Sequence, residues 1–461
     1  MDHLYRYEVF SREVLSLARE HPLLRYAACA VAAKQLGQMR TSLSTMVRGK
    51  TQEHLARLAQ GRLGFGWFGA KYYEMAIQTL AKSISRTDAA ANLVSTPMSL
   101  SQGNLMVHAD KEDPIVRLLG TCILIQYEQL SASRNAWSGH LTGFSKLLSL
   151  IDDGGLLIPN PVFEAVYPFT KDVMYMKAGF WNFVVNDLEE SFVSRRKTRV
   201  DTNNLSLWRN MGLLIDDDGT VANDVTPNGL LSTPEHARDK VLSFALVRLL
   251  CMLVDYVAPL SSNLNLLLSH DTTAFGYLES RFDSWLQILS PSFHADGTFL
   301  TRRSDDQDSD LFNRELWFSN DLCSTTMMYY HMARMLLLIH RPSDLLPGTT
   351  SSAPASASFD LLLTFRDIEQ KLRYHASEVI AIINATPCDA VKLRAIQPLY
   401  VAGRCCTTAN DQRLLIKMLR NIEDNLGIAT DYRVKSLLSE WRTSCDTLGL
   451  ETRLPNPNRS P

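Results

Sequence analysis

The chain of 461 residues carries 47 lysines and arginines against 49 aspartates and glutamates, a formal charge of −2, with eight cysteines, 22 glycines and 18 prolines. That balance gives it no overall electrostatic reason to seek nucleic acid or an anionic membrane, whose binders usually carry a basic excess or a basic tract. The cysteines (Cys29, Cys122, Cys251, Cys323, Cys388, Cys405, Cys406 and Cys445) form no C-x-x-C pair, so neither a disulfide framework nor a zinc knuckle is spelled out.

The opening residues contain no apolar core of a signal peptide, and the apolar run ALVRLLCMLVDYVAPL is interrupted by Arg248 and Asp255. A reduced, soluble, intracellular protein is expected. Tyr7, Phe10, Val14, Leu17 and Ala18 recur at helical spacing, with Arg6, Glu8, Arg12, Glu13 and Arg19 on the other side, which predicts an amphipathic helix. His21-Pro22 breaks it. Between Leu23 and Ala33 the next helix is apolar on nearly every side, with Arg25 its only charge, so it should be buried.

Further helices are predicted over 68–86, 114–130, 135–151, 163–195, 235–257, 274–289, 311–340, 359–384, 388–408, 411–425 and 430–447. Leu415, Met418, Leu419, Ile422 and Leu426 form a stripe that ends at Gly427, a residue suited to a C-terminal cap. No segment alternates with period two between turn signals, so the fold class is all-α with little or no sheet. The pattern reads as one helical domain over 1–448, with mobile loops near 216–233, 303–310 and 347–358 and a disordered tail over 449–461.

Candidate chemistry is sparse. Gly64-x-Gly66-x-x-Gly69 matches the dinucleotide fingerprint as a string, with Asp88 at roughly the acidic distance, but no strand precedes it and no βαβ alternation follows. A glycine-permitted turn between helices is the favoured reading. No G-x-S-x-G or H-E-x-x-H occurs, and His270 and His294 read as exposed loop residues. His331 and His340 fall on a long helix, as core or near-core histidines, where Met327, Met328, Met332 and Met335 read as packing residues. The sequence therefore offers no catalytic residue, no metal ligand and no assignable cofactor site. Arg195, Arg196, Lys197 and Arg199 are the only concentrated basic run, a favourable helix C-terminus that also has the composition of a nuclear-import signal.

Several motifs in order carry a resemblance: His21-Pro22-Leu23-Leu24; Lys71-Tyr72-Tyr73 with Ala76, Ile77 and Leu80; Ala136-Trp137 with His140-Leu141 and Gly143; Trp285, Leu289, Pro291 and Phe293; Tyr329-Tyr330-His331-Met332-Ala333-Arg334 running to Arg341-Pro342; and Gln397-Pro398-Leu399-Tyr400 with Ala402-Gly403. Together, from about Tyr5 to Trp441, they resemble the regulatory region of fungal zinc-cluster transcription factors, the fungal-specific transcription factor domain or middle homology region. The family's six-cysteine zinc cluster, opening C-x-x-C, has no counterpart in this sequence, so its zinc and DNA contacts have no positions to be carried onto.

The resemblance implies a transcriptional regulator of RNA polymerase II genes, in relatives often those of a secondary-metabolite cluster, working in the nucleus with shuttling to the cytoplasm. It implies a DNA-binding partner such as a complete zinc-cluster factor or the transcription machinery, and an apolar small-molecule effector in a helical pocket. Trp137, Trp181, Trp285 and Trp317 are candidate lining residues for that pocket, with core packing the favoured role of each. No direct nucleic-acid contact, membrane association or enzyme activity is expected. Two alternatives stay open: a non-transcriptional binding or scaffold protein of the same fold, and a complete factor whose zinc-cluster exon is missing from the gene model.

Overall fold

Pro22 opens the first long helix, α1 (Pro22–Gln38), where its fixed φ suits the first helical position and its missing N–H is no loss. In the computed structural model, residues 1–4, 8–39, 64–94, 114–153, 171–221, 235–260, 272–301, 311–342 and 361–447 are described. Ahead of α1, the predicted amphipathic stretch forms a π turn, Val9–Glu13, and a single α turn, Val14–Leu17, with Val9, Phe10 and Val14 buried. Then come α2 (Phe65–Val94), α3 (Pro114–Ser131), α4 (Arg134–Asp153), α5 (Lys171–Ser194), α6 (Leu205–Asn210), α7 (Glu235–Leu260) and α8 (Thr272–Gln287). An antiparallel pair, β1 (Gly297–Leu300) and β2 (Arg314–Trp317), precedes α9 (Asp321–Ile339), α10 (Leu361–Asn384), α11 (Asp389–Arg394), α12 (Ile396–Gly403), α13 (Ala409–Leu426) and α14 (Asp431–Thr447). The fold is all-α with this one small sheet among the described residues.

Two predicted helices differ from the structure for local reasons. The span 311–340 begins as β2, and the helix starts only at Asp321, because Asn320 turns its side-chain oxygen to the Leu322 N–H and caps it there. The span 388–408 divides at Ala395 into α11 and α12. Pro398 has no N–H to give to the Arg394 carbonyl, and its ring crowds that group, so the helix restarts instead of continuing. Within the predicted 163–195 helix, residues 163–170 lie outside the described set, as do the predicted loops at 303–310 and 347–358 and the tail. Residues 216–221 of the predicted 216–233 loop form an ordered turn, closed by the Ile215–Val221 bridge.

The chain divides into two compact units: Met1–His270, Ser280–Leu289 and Asp424–Ile428 in one, and Asp271–Glu279, Ser290–Glu423 and Ala429–Pro461 in the other. In the first, α1 packs on α2 and α3, and α5 packs on α3, α4 and α7. The α5 helix is buried from Tyr175 to Ser191 on all faces. Trp181 lies flat on Phe244, with centroids 3.6 Å apart, and gives its indole N–H to the Met211 carbonyl at 3.0 Å. Burying a Phe in such a stack contributes about 1.5–3 kcal/mol. The stretch Arg238–Ala258 of α7 is long and apolar enough to cross a membrane, and 78% of its apolar window is buried within the protein. Its buried Arg248 donates to the Thr202 carbonyl at 2.9 Å and the Gly219 carbonyl at 3.2 Å. Those bonds are what a buried charge requires.

The glycine segment is not a turn. Gly66 and Gly69 lie inside the first turns of α2, and a Cβ on Gly69 would stand 3.1 Å from the Lys34 backbone nitrogen of α1. A Cβ on Gly37 would likewise stand 3.0 Å from the Gly66 nitrogen. These positions stay bare so that two helix backbones can touch. Nor is α1 buried all round: Leu23, Leu24, Ala27, Ala30 and Ala33 are covered, while Arg25 and Ala32 are exposed. Contact with α2 and α3 covers one stripe, and the alanines around it add too little apolar area to demand more.

In the second unit, α9 packs against α10, α11 and α12, α12 packs against α14, and β2 lies on α10. All eight residues of α12 are buried.

Candidate functional site

Helix α10 carries one apolar stripe, Phe365, Ile368, Leu372, Ala376, Val379 and Ile383, at spacings of three and four that keep it on one face. Its C-terminal half is fully covered: Ala376, Val379 and Ile380 have no exposed surface. Toward the N-terminus the cover runs out, so Leu372 and Ile368 are half-buried and Phe365 is 59% exposed. The uncovered half of the stripe forms one wall of a groove of about 530 Å³. The remaining walls are Ile339 at the end of α9, Arg404, Cys405 and Thr407 after α12, and Glu440 and Trp441 of α14.

The polar groups around this groove are ordered by α12. Tyr400 gives its hydroxyl to one Glu440 oxygen at 2.6 Å, and Arg404 Nε donates to the other at 2.9 Å. Trp441 Nε1 donates to the Gly403 carbonyl at 3.1 Å. Gly403 must be bare, since a Cβ there would stand 2.3 Å from a methyl of Leu415. Gln397 accepts from Arg433 Nε at 2.7 Å and donates to the Tyr432 hydroxyl at 2.8 Å, which ties the start of α14 to the same short helix. Burial pushes the Cys405 thiol up to about 11, so it is protonated at neutral pH and is no nucleophile. Arg373 reaches Thr407 Oγ1 at 3.4 Å. The groove therefore has apolar walls with a few placed polar groups and no activated nucleophile, which suits binding.

A second cavity, in the first unit, measures about 50 Å³ and is bordered by Trp285, Arg248 and Arg281 among others. That is room for a few waters, whereas small-molecule sites run to about 300–1,000 Å³. The groove in the second unit is the candidate site. No group of three His, Cys, Asp or Glu residues with metal-binding geometry occurs among the described residues.

None of the four tryptophans considered from sequence lines the groove. Trp137, Trp181 and Trp285 are buried. Trp317 departs from the core role expected of it: it sits on β2, 47% exposed, in edge contact with Phe299. The groove's own aromatic residues are Trp441 and Phe365. A signal for Phe365 existed in the stripe, which runs a turn and a half beyond the part of α10 that tertiary contacts cover. Arg373, Arg404 and Glu440 carried no such signal, because charges at those positions read as ordinary solvated helix faces.

The histidines fall where the pattern placed them within the described residues. His294 is exposed, and His340 holds the Leu336 carbonyl at 2.9 Å. His331 is buried, its Nδ1 2.9 Å from Nδ1 of His375; His270 lies outside the described residues. Of the packing methionines, Met328, Met332 and Met335 are buried and Met327 is half-buried. In the basic run, Arg195, Arg196 and Lys197 are exposed, but Arg199 is tied to Asp187 at 2.7 Å and Glu190 at 2.9 Å.

Compared with known proteins, the chain is 25% identical to the transcription activator AMTR1 of the fungus Alternaria alternata, over an alignment of 502 residues that takes in 98% of this chain. It spans 63% of that relative's length. The chain is thus similar over nearly its whole length to a fungal transcription activator. No protein-family model matches it, and no solved structure does.

Proposed function

We propose that this chain regulates transcription of RNA polymerase II genes through its helical body, in the nucleus, and that it reaches promoters through a DNA-binding partner such as a complete zinc-cluster factor. The observation that carries this reading is the similarity to a transcription activator across 98% of the chain. Motifs that resemble those of the middle homology region stand in order along the same span. A formal charge of −2 and the lack of any C-x-x-C pair favour a partner for DNA contact over direct readout by these residues. The groove in the second unit offers an effector site: a ligand preferring one helix arrangement shifts the population by its differential affinity for the two. A secondary-metabolite gene cluster is the proposed target, on the family resemblance alone.

Chromatin immunoprecipitation of tagged protein, paired with a gel-shift assay on the recovered promoters, tests this. Expected are promoter fragments in the precipitate, loss of that signal when the co-purifying DNA-binding factor is deleted, and no shift by the purified chain alone. Protein that stays cytosolic and recovers no promoter under any growth condition would sink the regulator reading.

A further inference from the structure

The groove of the second unit contains two arginines in different states. Arg404 is neutralised: its Nε meets Glu440 at 2.9 Å, and the other Glu440 oxygen is taken by the Tyr400 hydroxyl. Arg373 is half-buried in the wall, and its contact is the neutral hydroxyl of Thr407 at 3.4 Å. Glu369 stands one turn before it on α10, exposed at the mouth of the groove, and forms no ion pair with it. Among the described residues no carboxylate pairs with the Arg373 guanidinium, which stands partly exposed beside the apolar wall and presents a planar fork of donors whose natural complement is an anion.

We infer that the groove binds an amphipathic monocarboxylate, its carboxylate on Arg373 and its apolar body along Ile368, Leu372 and Trp441. The inference deepens the regulator reading by naming the class of its effector, and rests on that reading only for its consequence in the cell. Volume agrees, since about 530 Å³ lies within the range of small-molecule sites. Charge selects the valence. Arg404 is already closed by Glu440, so one carboxylate is what the Arg373 fork can take, while a phosphate dianion would place a second negative charge beside the Glu369 carboxylate at the mouth. An apolar alcohol would fill the walls and leave Arg373 as it is. A cation would find no partner in Arg373.

The test is isothermal titration calorimetry on the purified full chain with decanoate, 1-decanol and decylammonium as probes. Decanoate is expected to bind at one site and to weaken at least tenfold in Arg373→Gln, with Arg373→Lys in between because it keeps the charge and loses the fork. Ile368→Glu is expected to abolish decanoate binding, and any 1-decanol binding is expected to be the same in wild type and Arg373→Gln. Thermal melts that match wild type certify that the variants fold. Decanoate affinity within twofold of wild type in a folded Arg373→Gln protein overturns the inference, as does 1-decanol or decylammonium binding as tightly as decanoate. The readout involves no transcription, so it can fail while the regulator reading stands, and the converse also holds.

Discussion

The Tyr73 hydroxyl lies 2.8 Å from Nε2 of His140, joining α2 to α4 across 67 residues of sequence. Tyr73 is also stacked on Tyr127 of α3, with centroids 4.3 Å apart, and Lys34 of α1 sits 3.6 Å over the other ring of that pair. Burial lowers the His140 pKa, so its ring is neutral at physiological pH. Tyr73→Phe is expected to cost about 1–3 kcal/mol, because it leaves a buried polar partner without its bond. A urea titration of the two proteins reads this as a lower midpoint at unchanged slope.

Gly427 has φ of +62°, and a Cβ there would come 2.4 Å from the Gln35 carbonyl oxygen. Gln35 returns the contact by donating its amide to the Leu426 carbonyl at 3.0 Å. Gly427→Ala is expected to lose about 1–2 kcal/mol to the left-handed conformation alone, and more from displacing a backbone carbonyl. Thermal denaturation should show a clear drop. A melting temperature equal to wild type would mean that α13 does not end in this way.

The basic run separates into two roles. Arg199 bridges Asp187 and Glu190, both essentially without exposed surface, and removing its side chain takes the cation from two buried carboxylates. Arg199→Ala is expected to cost about 3–5 kcal/mol. Replacing the exposed Arg195, Arg196 and Lys197 with alanine is expected to leave stability within about 0.5 kcal/mol and to reduce nuclear accumulation of a fluorescent fusion. If the triple variant enters the nucleus as wild type does, import uses another signal.

The buried His331–His375 pair sets an acid limit for the second unit. Burial lowers both pKa values, and the neighbouring His375 and Arg334 charges respectively lower them further. Each folded value therefore lies below the unfolded value of about 6.5. The neutral pair is favoured on folding, so its contribution is fully present above about pH 6.5 and is lost as pH falls through the folded values. Each group adds about 1.4 kcal/mol per pH unit to the slope while only its unfolded form is protonated. His375→Gln is expected to flatten the stability profile between pH 6 and pH 5, measured by urea titration at each pH. An unchanged slope would contradict the assignment.

Much of this was legible in the sequence where one residue type admits few conformations or one period dominates. Pro22 marked the start of α1, Gly427 marked the end of α13, and the stripe Leu415, Leu419, Ile422 marked its buried face. Motif residues such as Tyr73, His140, Gln397 and Tyr400 turned out to join helices, with the last two arranging the groove's polar rim. Less legible were features decided by tertiary contact. Gly69, with Gly37 on the facing helix, permits a helix crossing that no local pattern distinguishes from a turn, and the strand Arg314–Trp317 exists because it pairs with Gly297–Leu300 and packs on α10. The groove was out of reach for the same reason, since its charged residues come from three separate segments.

Regulation of transcription by this helical body, as proposed, has a direct test. The most direct measurement fuses the chain to a heterologous DNA-binding module and reads a reporter bearing that module's site. Reporter output several-fold different from the module alone, and changed by Ile368→Glu in the groove, is the expected result. Output identical to the module alone, from a fusion shown to be folded, nuclear and bound at the site, would contradict it.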